Sequence, residues 1–290
     1  MNKSGTNKLK KDQEIGINFQ RSFKLQTDYE IIKQRLHQML GKYLDKAELL
    51  KSTFGVRSTA PIFLTFDDSA QTITYTTERL IPSPRTNLPR PRIMLLFSNP
   101  HPHSIRQGMF LSPNTRGQEN LFWPVMDKAG WLPIPKGDRT PPEKLAEICL
   151  NVAYTGPFEL IFYTYYAFPT DYPEDIRTIF GKEFFQQQIA PEAAREFAET
   201  IHTSGVQAVV TFNMGIFNLV TEEPVKRSIK PLMEGKVIQS QVKGCGVSMP
   251  IFLTYPTGWR YAKDYMKYRI DSLKLIQTAI LSGELLSGQK

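Results

Sequence analysis

Cysteine is the scarcest reactive chemistry in this 290-residue chain, with two residues, Cys149 and Cys245, placed far apart. Such a pair builds neither a disulfide framework nor a CxxC unit, and an iron–sulfur cluster or an all-Cys zinc site needs more thiolates. Both are expected to be buried and inert. Histidine is also sparse, with four residues. His101 and His103 stand close together, but no carboxylate pair lies beside them to complete a metal set. No metal and no cofactor are expected. Apolar runs approaching the roughly 20 residues that cross a bilayer are missing, and MNKSGTNKLKKDQE at the start lacks the apolar stretch of a signal peptide. The expectation is a cytoplasmic protein without membrane contact. Neither GxSxG nor GxxxxGK[ST] occurs, and Ser104 and Ser248 sit in no nucleophile signature. There is no internal repeat and no low-complexity tract.

What is present fits a folded chain with a sizeable core. Apolar residues make up 41% and charged residues 22%, close to the averages for globular proteins, which excludes disorder throughout. The length suits one large domain with additions, or two small ones. A net charge of +8 and a sequence pI near 9.3 favour a polyanionic partner, because contacts to phosphates release counterions. Lys and Arg form no long blocks, so a purely electrostatic binder is disfavoured.

The chain divides near residue 90. Residues 1 to about 25, with Lys3, Lys8, Lys10 and Lys11, are polar and weakly patterned and are expected to form a mobile arm. From Asp28, the positions Ile31, Ile32, Leu36, Met39, Leu40, Tyr43 and Leu44 predict an amphipathic helix reaching about Leu50. PIFLTF (61–66) and QTITYT (71–76) flank Asp67-Asp68-Ser69-Ala70 as a hairpin, with the two aspartates as turn residues. IPSPRTNLPRPR then reads as an extended linker. Residues 1–90 are thus an accessory region, and 91–290 an α/β domain.

In that second part, RIMLLF (92–97), FELIFYT (158–164), VQAVVTF (206–212) and MPIFLTY (249–255) are apolar without clean alternation, as in strands covered on both faces. Helical stretches at Asn120 to Ala129, Pro142 to Leu150, Pro191 to Thr203 and Tyr261 to about Leu281 separate or follow them, with prolines at two starts. The predicted fold is a three-layer α/β/α sandwich around a four-stranded parallel sheet, with the helix and hairpin as an N-terminal extension. Ligands bind such sheets beyond the carboxyl ends of the strands. That rule selects SNPHPHS, YYAFPT, NMG and PTGWR. In the first loop Pro100 and Pro102 stiffen the chain, and Asn99 offers an amide oxygen that can accept a hydrogen bond from a water. TYPTGWRY (254–261) closes the last strand and opens a helix whose first N–H groups suit a phosphate. The cluster Tyr163, Tyr165, Tyr166 and Phe168 could stack bases or pack in the core.

The ordered set FSNPH (97–101), Gly108, Phe110-Leu111-Ser112-Pro113, NLFWPVMDKAGW (120–131), VVTFNMGIFNLV (209–220) and YPTGW (255–259) resembles the uracil-DNA glycosylase superfamily. The closest likeness is to its mismatch-specific uracil/thymine branch, whose first motif is Gly-Ile-Asn-Pro-Gly. FPTDYPEDIRTIFGKEFF (168–185) is similar to the segment between them. The resemblance covers about residues 90–275. It implies a monofunctional DNA glycosylase of base excision repair, acting as a monomer on DNA without a cofactor. Asn99 would hold the attacking water and Phe110 would stack on the flipped base. Ser98, Pro100, His101 and Asn213 would surround that base. Pro256, Thr257, Gly258, Trp259 and Arg260 would grip the DNA, with Trp259 as the wedge. Tyr255 stands where the family carries His or Asn, which implies a phenol assisting departure of the base. Phe97 and Ser98 replace the Gly-Ile lead of the first motif. A non-catalytic nucleic-acid-binding module on the same fold is the alternative, and an α/β protein acting on a small metabolite is a third reading.

Overall fold

The four apolar runs become four neighbouring parallel strands. In the computed structural model, which describes residues 17–25, 28–44, 63–83, 90–113, 118–133, 142–222, 225, 230–256 and 264–283, these are β4 (Arg92–Phe97), β5 (Glu159–Thr164), β6 (Ala208–Thr211) and β8 (Pro250–Leu253). The large sheet has the order β5-β4-β6-β8-β7. Its register sets Leu95 beside Phe162 and Val210, and Val210 beside Phe252. The fifth strand, β7 (Ile238–Gln241), pairs antiparallel with β8 at the edge. It exceeds the four strands expected because IQSQ is polar at three of four positions and all four are only partly buried. An edge strand needs no apolar alternation.

Both faces of this sheet are buried, and alternate side chains divide between them. Met94, Leu96, Ile161, Tyr163, Val209, Ile251 and Leu253 enter one cluster. Ile93, Leu95, Leu160, Phe162, Val210 and Phe252 enter the other. Helices cover each: α1 (Tyr29–Leu44), α5 (Pro173–Phe180), α6 (Ala190–Thr203) and α7 (Met214–Val220) supply the first cluster. The second takes residues from α3 (Phe122–Lys128), α4 (Pro142–Leu150) and α9 (Tyr265–Ser282). Two short helices complete the set, α2 (Pro102–Gln107) and α8 (Lys230–Met233). A helical turn, Lys182–Phe184, and a π-helical stretch, Phe185–Ile189, lead into α6. No helix among the described residues is long and apolar enough to cross a membrane.

The expected hairpin forms from β2 (Leu64–Asp67) and β3 (Thr72–Glu78). Asp67 closes its turn by accepting from Ser69 Oγ (2.7 Å) and the Ala70 N–H (2.9 Å). A third strand joins it: β1 (Asn18–Lys24) lies antiparallel on β3, where the sequence reading placed part of a mobile arm. Its polar sequence, NFQRSFK, is held by backbone pairing and by Arg21, which meets Glu196 of α6 at 2.6 Å. Arg21 is one side of an ion pair whose partner lies far along the chain, whereas Lys3, Lys8, Lys10 and Lys11 of the expected arm lie outside the described residues.

Nor does residue 90 divide the packing. One apolar cluster runs from Leu25, Ile32, Leu36 and Tyr75 to Met94, Ile161 and Leu253. Leu80 bridges to Phe162 of β5, so the end of the small sheet lies against the edge of the large one. The N-terminal region therefore reaches the carboxyl ends of the parallel strands, where ligands bind in this architecture.

Candidate functional site

The ends of β4, β5 and β6 surround a partly open cavity of about 150 Å³, a volume in the range that accepts one benzene-sized ring. Ser98, Asn99, His101, Phe110 and Asn213 all line it. Pro100 is buried outside the lining, and its carbonyl accepts from the Thr170 N–H at 3.2 Å.

Asn99 is fixed in one orientation. Its Nδ2 donates to the Thr170 carbonyl at 2.8 Å and to Thr170 Oγ1 at 3.0 Å, with a third contact to the Pro100 carbonyl at 3.1 Å. Carbonyl oxygens only accept, so the amide nitrogen must face them. The amide oxygen is thereby turned the other way, where it accepts from Ser98 Oγ at 3.0 Å. It keeps a further lone pair for a water in the cavity. The clamp comes from the loop after β5, which is stitched to the loop after β4 by Tyr165 N–H to Phe97 O (2.9 Å) and Tyr166 N–H to Ser98 O (2.8 Å). Thr170 was not singled out in the sequence; nothing in FPT marks it as an anchor.

His101 caps α2, its Nδ1 accepting from the His103 N–H at 3.2 Å. That bond leaves the proton on Nε2, which lies 3.3 Å from Asp171 Oδ1. Burial of the ring lowers the His101 pKa, and Asp171 opposes that shift without overcoming it. Asp171 also takes hydrogen bonds from Lys42 and from Tyr43 Oη (2.5 Å) of α1. Burial raises its carboxyl, but these donors outweigh burial and hold it below the ordinary carboxylate range. The accessory helix is thus tied directly to the cavity rim. Among the described residues no group of three or more His, Cys, Asp or Glu could hold a metal.

Phe110 lines the cavity from within an aromatic cluster and is 2% exposed. Its ring lies 5.8 Å from Phe97 and 5.5 Å from Phe162, and Phe97 lies 6.0 Å from Phe212. α2 ends at Gly108, whose φ of +74° reverses the chain. Leu111 follows Phe110 at φ +50°, a left-handed conformation that costs a non-glycine residue roughly 1 kcal/mol. Across the cavity Asn213 caps α7, its Oδ1 accepting from the Ile216 N–H at 3.0 Å. The N–H groups of that amide and the second lone pair of its oxygen remain for a ligand.

The residue that sequence reasoning missed is Glu78, at the end of β3. It lines the same cavity and is 3% exposed. Its Oε2 is buried without a hydrogen-bond partner. Burial alone drives its pKa far upward. A single Glu ending a Thr-rich hairpin strand carries no signal in the sequence, because its place at the site depends on how the small sheet docks.

Tyr255 is not brought to the cavity. It is buried in the cluster on the opposite face, with Tyr268 at 6.1 Å and the Arg269 guanidinium 5.7 Å from its ring. Alternation explains this: Phe252 shares the face of Phe97 and Phe212, whereas Leu253 and Tyr255 share the other. Pro256 is buried and its carbonyl accepts from Arg269 at 2.8 Å. Thr257, Gly258, Trp259 and Arg260 lie outside the described residues. Tyr163, Tyr165, Tyr166 and Phe168 also belong to the opposite cluster, around Phe197 and Tyr75. They pack in the core and leave the cavity unobstructed.

The sequence matches no protein-family model and no curated protein.

Proposed function

We propose that this chain is a monofunctional DNA glycosylase that takes a flipped base into the cavity and hydrolyses its N-glycosidic bond. The supporting observation is that one ring-sized space is lined by a clamped Asn99, by the aromatic ring residue Phe110 and by the amide residue Asn213. The volume favours a pyrimidine, uracil or a related deaminated base, over a purine. Flipping costs a few kcal/mol and is easiest at a mismatched or damaged pair, while Phe110 supplies a stacking surface of the kind worth about 1–3 kcal/mol per base.

Asn99 cannot remove a proton, so its role is to place a water against the sugar. Attack forms the bond from the water oxygen to C1′ and breaks the bond from C1′ to the base. The electron pair leaves with the base, which takes up the water's proton. Such a reaction relies on fixed dipoles and positioning more than on a strong nucleophile. The excess of basic residues suits a polyanionic substrate, and the reading places the enzyme in base excision repair, working as a monomer.

A panel of duplexes and single strands carrying uracil, a mismatch or hypoxanthine tests this directly. Base release is expected from at least one of them, and Asn99→Ala should lower it about a hundredfold while DNA affinity holds. If no substrate loses a base, the enzyme reading fails. The position of Tyr255 on the far face favours one competing reading, a module that binds DNA without turnover, since it removes the phenol expected to assist the leaving group.

A further inference from the structure

The feature that the reaction above leaves unused is the carboxyl of Glu78. We propose that Glu78 is a specificity residue: its carboxyl, at the cavity lining, hydrogen-bonds the lactam edge of the bound ring, donating to a carbonyl oxygen and accepting from the adjacent N–H. This inference rests on the reading of the cavity as a base pocket, and it assigns the edge to a residue outside the large sheet.

Three observations carry it. Glu78 lines the cavity and is itself only 3% exposed. Its Oε2 is buried with no partner, although buried polar atoms are nearly always paired. The arginines of the small sheet are engaged elsewhere: Arg21 and Arg79 both meet Glu196, at 2.6 and 3.2 Å. A carboxylate left in that position without a cation is disfavoured, whereas the neutral acid is tolerated. Burial accordingly pushes this group up with nothing opposing it.

A neutral carboxylic acid presents a donor and an acceptor side by side. The N–H and C=O of a lactam are its complement. Asn213, at the same cavity, can add a second donor through its amide N–H groups. Backbone geometry fixes the acid: the Glu78 carbonyl is met by Thr164 Oγ1 at 3.5 Å, which sets the end of β3 against the end of β5.

The test titrates the purified full chain with uracil and with 3-methyluracil, in which the edge N–H is replaced by a methyl group, and follows binding by calorimetry. Each ring also carries a methyl group at N1 in place of the sugar, so that N1 offers no second lactam edge. Wild type should bind uracil and prefer it to 3-methyluracil by about tenfold or more, the scale set by leaving one buried polar group unpaired. Glu78→Gln keeps a neutral donor and acceptor in the same shape and should retain most of the binding; Glu78→Leu should lose it. Equal binding of the two rings, no uracil binding at millimolar concentration, loss in Glu78→Gln equal to loss in Glu78→Leu, or no loss in Glu78→Leu would each overturn the proposal. Should Glu78→Leu fail to fold, the ring comparison and Glu78→Gln still decide. Base release from a deoxyuridine oligonucleotide is measured in parallel. Uracil binding that needs Glu78 without any base release would sink the glycosylase reading alone; base release indifferent to Glu78→Leu would sink the role of Glu78 alone.

Discussion

The two faces of the parallel sheet meet the same strand ends with opposite results. On one, Phe97, Phe110 and Phe212 surround a space that stays open, edged by Asn99, Asn213 and Glu78. On the other, Tyr165 packs edge-on to Tyr166 at 5.0 Å and to Phe197 at 5.7 Å, and Phe168 meets Phe180 at 4.8 Å, closing the core. Both faces are rich in aromatic residues, so composition does not separate site from core. Register does: Phe97 pairs with Thr164, one step from Tyr163 and Tyr165 on the opposite face. A shift of one residue reverses every assignment.

A matched pair of substitutions tests that contrast most severely. Phe110→Leu and Phe168→Leu each remove one buried ring with little change in volume, and each should cost about 1 kcal/mol of stability in denaturant unfolding. Under the proposed function only Phe110→Leu removes the surface on which a base stacks, and base release should fall by roughly tenfold to a hundredfold. Phe168→Leu should leave it within about twofold, a change of no more than ~0.4 kcal/mol in the barrier. Equal losses at the two positions would erase the distinction between the faces.

Glu78 sharpens the contrast through pH. Its carboxyl is raised in the folded protein from an ordinary value of 4.5 by burial. Below 4.5 the acid is neutral both folded and unfolded, and the site adds no pH-dependent penalty. Above 4.5 the unfolded chain releases a proton that the folded chain retains, so stability is lost as pH rises towards the folded pKa. Glu78→Gln has no such proton. Its melting temperature relative to wild type should therefore climb as pH rises above 4.5, and a constant difference would show that the carboxyl is already ionised or paired.

The sheet was the readable part of this molecule. RIMLLF, FELIFYT, VQAVVTF and MPIFLTY are buried on both faces, and continuous apolar runs survive without knowledge of their neighbours. Ser98, Asn99, His101 and Asn213, which the structure brings to one cavity, lie in loops picked out because strand ends in such sheets are where ligands bind, a rule that needs only the strand positions; Phe110 entered through the resemblance alone. What escaped depended on contacts remote in sequence. β1 is polar and owes its place to β3 and to Glu196. Thr170 clamps Asn99 from another loop. Glu78 belongs to the hairpin that the Pro-rich stretch seemed to set apart. Tyr255 was misplaced for a different reason: a resemblance aligns a motif but does not fix on which face of the sheet a single side chain lies.

The smallest expected effect is the most exposed to refutation. Tyr255 is 1% exposed and sits on the face away from the cavity, with its ring between Tyr268 and Arg269. Tyr255→Phe keeps the ring and removes only the hydroxyl. Loss of a buried hydroxyl contact costs about 1 kcal/mol in stability, readable as a modest fall in melting temperature. Base release should be unchanged, because Tyr255 is not among the residues that line the cavity. A fall in the rate constant larger than the fall in folded fraction would mean that the phenol reaches the departing base after all. The sheet would then have to present both its faces to one substrate, and the division between an open face and a closed one would be lost.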